Sequence, residues 1–189
     1  MTRIHDYGKA IGLLFILLPG VLLAASNDDI DQEFNVEPGG TLTVNSDAGN
    51  IEVDTWNENQ VRVRVRNTRG FDMEVVQEGN SVVVIADQER GLFGFGGSSI
   101  RFDISVPMDY NVDLNTGGGS ITVADINGEV RADTSGGRIE VGRVSGGDVM
   151  VDTSGGSIEI DDVDGSVSAD TSGGNITIAN VSGDVEADT

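Results

Sequence analysis

From Val112 onward, apolar residues alternate with polar ones inside short segments, and the segments return every eighteen residues. Aligned on their first valines they read VDLNTGGGSITVADINGE from Val112, VRADTSGGRIEVGRVSGGD from Val130, VMVDTSGGSIEIDDVDGS from Val149 and VSADTSGGNITIANVSGD from Val167. A fifth begins VEADT at Val185, and one unit is a residue longer where Gly146-Gly147 extends a turn. Within a unit the apolar places are Val130 and Ala132, then Ile139 and Val141, then Val144. A spacing of two puts those side chains on one face of a strand. Glycines in the middle of each unit exclude a helix. Two or three such strands per eighteen residues describe one coil of a β-solenoid, which must stack on its neighbours to bury its inner face.

The segment before the repeats has another texture. Leu42, Val44, Ile51, Val53 and Trp56 occupy the apolar places of a degenerate coil, LTVNSDAGNIEVDTWNENQ. VRVRVR (61–66), FDMEVV (71–76), SVVVIA (81–86) and IRFDISVP (100–107) then alternate as four strands. The short turns NTRG and QEGN join the first three, which predicts an antiparallel meander. The fold class expected is therefore all-β: a single-domain β-solenoid of about eighteen residues per coil with an N-terminal antiparallel β-meander cap. Trp56, Phe71 and Phe102 are expected to close its open end. The expected organisation is a signal peptide over 1–25, the degenerate coil and cap over 26–111, and the solenoid repeats over 112–189, the last coil incomplete. A coil that stops at Thr189 is either continued or presents an edge open to pairing with another chain.

The recurring word DTSGG, at 133–137, 152–156 and 170–174, is predicted to be the corner of each coil. In this reading the Asp side chain accepts backbone N–H bonds as an Asx-turn and the two glycines supply positive φ. Stacking lines up Asn115, Asp133, Asp152, Asp170 and Asp188, with neighbouring carboxylates about 4.8 Å apart. Such a column is comfortable beside a cation, so Asp133, Asp152 and Asp170 are also candidate Ca²⁺ ligands. The nonapeptide motif of Ca²⁺-binding solenoids is missing, and no other cofactor is implied.

The first residues tell where the chain goes. MTRIHDYGKA carries Arg3 and Lys9, and IGLLFILLPGVLLAA follows as an apolar run ending in small residues. That is the form of a secretory signal peptide, too short to span a bilayer and broken by Pro19-Gly20. The protein is expected to be exported, to a periplasmic, cell-surface or secreted location, touching the membrane only through this segment if it is not cleaved. The whole chain has a formal charge of −21; taking away the leader's +1 leaves −22. The leader also holds the only His (His5) and the only Lys (Lys9), and there is no Cys anywhere. Such acidity argues against nucleic acid.

Other candidates each have a bland and a sharp reading. Arg62, Arg64 and Arg66 form a basic stripe that either holds an anionic glycan or lipid headgroup, or pairs with Asp72 and Glu74 on the next strand. Phe93 and Phe95, among the glycines of GLFGFGG (91–97), are the best candidates for contact with a partner. Glu140 and Glu159 share a repeat position, but Arg138 lies on the same face as Glu140 and can neutralise it. Asp125, Arg143 and Asp162 read as a surface ion-pair ladder.

The Trp-containing first unit, the strands ending in ISVP, the VDLNTGGGSITV that follows and the run of VxADTSGGxIxV coils together carry a resemblance. Over 42–189 the chain resembles the bacterial putative-adhesin family of β-strand-repeat envelope proteins, a domain of unknown function similar to autotransporter-adhesin head domains. The resemblance implies an exported, non-catalytic β-solenoid that binds or scaffolds in the envelope, its partner an envelope protein or glycan. The competing reading is a carbohydrate-active enzyme, a glycosidase or lyase, on a β-helix. Without His, Lys or Cys after the leader, it would have only carboxylates, hydroxyls, Arg and Tyr110 to work with.

Overall fold

The computed structural model describes residues 29–89 and 100–189. The predicted signal peptide (1–25), Phe93 and Phe95 lie outside the described residues. The described chain is built of strands with no helix. In its first part these are β1 (Asp29–Asn35), β2 (Gly40–Ser46), β3 (Asn50–Trp56), β4 (Gln60–Arg66), β5 (Phe71–Glu78), β6 (Ser81–Gln88) and β7 (Arg101–Pro107). The coils follow: β8 (Tyr110–Thr116), β9 (Ile121–Val123) and β10 (Ile126–Asn127); then β11 (Val130–Thr134), β12 (Ile139–Val141) and β13 (Val144–Ser145). Next come β14 (Val149–Thr153), β15 (Ile158–Ile160) and β16 (Val163–Asp164), and finally β17 (Val167–Thr171), β18 (Ile176–Ile178) and β19 (Val185–Asp188).

Each of the first three repeats contributes one strand to each of three parallel walls; the fourth adds strands to two of them and meets the third through the single Val163–Val181 bridge. Val112, Val130, Val149, Val167 and Val185 are direct partners along one wall. Ile121, Ile139, Ile158 and Ile176 pair along the second, and Ile126, Val144 and Val163 along the third. Val130, Val149 and Val167 are at most 2% exposed, so the valines point inward and their strands lie side by side. The eighteen-residue solenoid predicted from the alternation is the fold. The longer coil takes its extra residue at Gly146-Gly147, where Gly146 has φ +73°, and the ladders on either side keep their register.

The corner works differently from the prediction. Strand alternation carries on through the word, so Ala132 points in, Asp133 out and Thr134 in again. Thr134, Thr153 and Thr171 are each 1% exposed. Their Oγ1 atoms donate to the carbonyls of Gly119, Gly137 and Gly156 in the coil before, at 2.8, 2.9 and 2.8 Å. The same oxygens accept the amides of Gly137, Gly156 and Gly174 at 3.4, 3.2 and 3.2 Å. The buried threonine, not the aspartate, is the capping group, because only the inward side chain can reach both coils. Nor do the paired glycines adopt positive φ. The second one is required by contact: a Cβ on Gly137 or Gly156 would sit 1.8 Å from the carbonyl oxygen of Gly119 or Gly137.

At the N-terminal end the antiparallel strands are present but divided between two sheets. One sheet runs β1-β4-β7-β3-β9-β12-β15-β18, the other β19-β17-β14-β11-β8-β2-β6-β5. The turn after β4, with Asn67 at φ 59° and Gly70 at φ 85°, carries the chain across from the first sheet to the second. Hence β4 and β5 are not a hairpin, whereas β5 and β6 are. Val61, Val63 and Val65 are fully buried, which ties β4 to the first sheet between β1 and β7. The coil β2–β3 stacks on two sides, against β6–β7 and against β8–β9. The 111–112 division predicted between cap and repeats falls inside β8, and one continuous core runs through it. Phe102 belongs to that core at 0% exposure, rather than to a plug. Phe71 does pack at the end, with Ile30, Phe34, Met73 and Val75, while half-buried Trp56 donates Nε1–H to the Gln60 carbonyl at 2.7 Å.

The contact geometry separates the two glycines of a pair. Gly156→Ala is expected to destabilise the protein by at least about 1–3 kcal/mol, since neighbouring backbone has to move. Gly155→Ala, where the nearest atom to a new Cβ is 3.9 Å away, should stay within about 0.5 kcal/mol of wild type. Urea unfolding of the two variants measures the difference.

Candidate functional site

The outer faces of the walls carry what chemistry the described residues offer. On the β8–β11–β14–β17 face, Asn115, Asp133, Asp152, Asp170 and Asp188 stand in direct register. Among the described residues no group donates to the carboxylates of Asp133, Asp152 or Asp170. Burial, and then the charges of Asp133 and Asp170, push the Asp152 carboxyl above the usual carboxylate range. Beside this column runs a second one of Asp113, Arg131, Met150 and Ser168, and the shallow groove between them has a volume of about 340 Å³. Met150 is 45% exposed there. The aspartates form a row rather than surrounding a point. Among the described residues no three His, Cys, Asp or Glu side chains gather closely enough to hold a metal ion.

The arginine stripe is brought together on one face, but its partners are not those expected. Arg62 makes a two-pronged bond to Asp31, 2.9 and 2.7 Å, and approaches Glu33 at 3.5 Å. The Arg62 hydrogen bond holds the Asp31 carboxyl below its ordinary range. Arg66 lies 3.5 Å from Asp103, which Arg101 also reaches at 2.8 Å while bonding Glu52 at 2.5 Å. Arg64 is in register with Asp31 on one side and Asp103 on the other, and its Nε is buried without an acceptor. Asp72 and Glu74 are on β5, in the other sheet, because the chain crosses over after β4. The stripe is thus braced by β1 and β7.

On the β9–β12–β15 face Glu140 and Glu159 are direct partners. Arg138 bonds Glu140 at 2.9 Å, both side chains about half exposed. Arg143 bridges Asp125 at 3.7 Å and Asp162 at 3.9 Å, the ladder read from the repeat. Tyr110, the last hydroxyl candidate, is 1% exposed. It donates to the Asn80 carbonyl at 2.5 Å, and burial pushes its pKa to about 12. It is a clamp between β8 and the β5–β6 turn. Its place at the head of the first full coil was the only sequence signal for that role. Two further shallow hollows, of about 490 and 410 Å³, lie on the outer surface around Gly146-Gly147 and around Arg143 and Asn180.

Residues 40–189 match the family described as Toastrack DUF4097. The chain belongs to that family. Similar solved structures include a putative adhesin from Bacteroides fragilis, 12% identical, with 86% of this chain and 98% of that chain covered and a TM-score of 0.39. Others are a putative cell adhesion protein from Clostridium sporogenes (10% identity, 84% and 99% covered, TM-score 0.35) and a putative adhesin from Parabacteroides distasonis (10%, 86% and 98%, 0.35). No curated protein matches the chain.

In this Toastrack domain the aspartate column is a destabilising feature at neutral pH. Two unit charges at the rung spacing repel by about 1 kcal/mol in water. Asp152 has a native pKa above its unfolded one, so its charged form opposes folding; the penalty declines as pH falls below the native value and is gone below the unfolded one. Asp152→Asn should therefore raise Tm at pH 7 by about 2–4 °C and leave it unchanged at pH 3. Asp31, with a depressed pKa, has the opposite sign: Asp31→Asn should lower Tm at pH 7 and lose that effect in acid. Calorimetry of both variants across this range checks the two signs together.

Proposed function

We propose that the protein is an exported, non-catalytic, adhesin-like module of the cell envelope, which binds or scaffolds through its flat, laddered faces. The observation that carries this reading is the register itself: outward side chains of successive coils stand in direct line, and in the Asp133–Asp152–Asp170 column the same one recurs at three rungs. Such a surface offers many equivalent weak contacts in a line, which suits an extended partner and favours avidity over one deep site. Among the groups a hydrolase would draw on, Glu140 is paired with Arg138 and Tyr110 is buried in the core. The leader-like segment at 1–25 supports export. Its partner is an envelope protein or glycan, and Phe93 and Phe95 are the proposed contact, with the braced stripe of Arg62, Arg64 and Arg66 as a secondary one. Calcium along the aspartate column is a proposal of the same rank.

Three measurements test the reading. The purified chain from residue 26 should sediment saturably with bacterial envelope fractions, and the double variant Phe93→Ser, Phe95→Ser should lose most of that retention with little change in Tm. Equal loss of retention and Tm would place the rings in the fold instead. Release of reducing ends from acidic or neutral polysaccharides would turn the reading over to the enzyme. A chelator that lowers Tm would show Ca²⁺ on the column, and an unchanged Tm would remove it.

A further inference from the structure

The coil β2–β3 lies in the middle of the stack, although it comes early in the chain. β1 pairs only with β4; β2 pairs with β6 and β8; β3 pairs with β7 and β9. No strand between Asp29 and Trp56 pairs with another strand of that segment. Every ladder it makes is with residues beyond 59. Its inward side chains, Leu42, Val44, Ile51 and Val53, are 0–1% exposed and fill a slot whose two walls, β6–β7 and β8–β9, both belong to the later chain.

We propose that this segment, Asp29–Trp56, is exchangeable between two copies of the chain. Each copy's segment can fill the other's slot with the same partners, giving a reciprocal dimer. The physical case rests on equivalence. Because all sheet contacts of the segment are made to the remainder, the exchanged and closed forms contain the same ladders and the same core, and they differ only at the hinge. That hinge is Asn57–Glu58–Asn59, three exposed residues without glycine or proline. It must carry the chain from β3 past β7 to β4, since β7 lies between them in the sheet. Short hinge connections make exchange between copies accessible when a second copy is near. The local ties at the hinge are few: the Val36 amide to the Asn59 carbonyl at 3.1 Å, and the Trp56 indole to the Gln60 carbonyl at 2.7 Å. Withdrawing a seated coil would expose both walls of the slot, so folded monomers do not trade segments. The choice is made as the chain folds, and concentration at that moment decides it.

The absence of cysteine makes the test direct. Asn45 and Asn115 are exposed, direct partners across the β2–β8 ladder, at a spacing that a disulfide can bridge. The double variant Asn45→Cys, Asn115→Cys should first be shown to close its disulfide within one chain in dilute solution. Single variants Asn45→Cys and Asn115→Cys, tagged to differ in mass, are then unfolded together, refolded and oxidised. The expected product is a covalent heterodimer. Its ratio to monomer should rise about tenfold for a tenfold rise in protein concentration while monomer predominates, by mass action. Mixing the two variants after separate folding should give none. Replacing the second variant by Ser145→Cys, exposed on another wall, should also give none. Light scattering on the unsubstituted chain supplies a second reading: a dimer formed by refolding at high concentration should persist on dilution. Monomer at every refolding concentration, or as much heterodimer with Ser145→Cys as with Asn115→Cys, would overturn the proposal.

Discussion

The stack depends on how closely one coil's backbone can approach the next at the corners. There the second glycine of each DTSGG word lies flush on a carbonyl of the preceding coil, and the buried threonine beside it spans the gap with one oxygen that both donates and accepts. A polar atom inside a hydrocarbon core is costly unless fully bonded, and here both of its roles are filled at Thr134, Thr153 and Thr171. The same bond sets the vertical register. With each corner pinned to the one below, the valines and isoleucines of successive coils are held in direct alignment. Burial then follows from that alignment and does not have to select it.

Much of this was open to reading from the residues. The eighteen-residue return and the two-residue alternation define the coils and the outward columns, including the Arg143 ladder and the pairing of Arg138 with Glu140. The identity of the corner group was harder, because aspartate and threonine are neighbours and both can bond a turn. Parity decides it. Counting from inward Val130, Thr134 falls inside and Asp133 outside, so the strand's own alternation held the answer. The arginine partners were misread for another reason. NTRG looks like a hairpin turn, but the fully apolar inner face of VRVRVR had to stay on the sheet whose end it covers, so the chain crosses after it. Nothing local encodes the insertion of β2–β3 between later coils, since neighbours in sequence are the default neighbours in space. Its likeness to the β8–β9 segment showed a coil but not its place in the stack.

Charge is arranged to suit the same architecture. Arginines sit where strands of the antiparallel end bring carboxylates close, as at Arg62 and Arg101, and in the outer ladders of the first coils. Beyond Arg143 there is no basic residue, and carboxylates recur on each coil. Parallel stacking of near-identical units forces like onto like, so any acidic position becomes a column. The fold accepts this on its wet faces, where solvent screens the repulsion. Inside, among the described residues, the recurring polar position is held by threonine from Thr116 onward, with Ser46 in register before it.

The nineteen-residue coil shows how such a molecule can change without coming apart. Gly146-Gly147 takes in a residue at a bend, and the ladders before and after it do not shift. Bends of this kind are therefore places where length is free while the rungs stay as they were. Peptides grafted there would be displayed at fixed heights along a rigid rod, and the spacing between two grafts could be chosen by counting rungs.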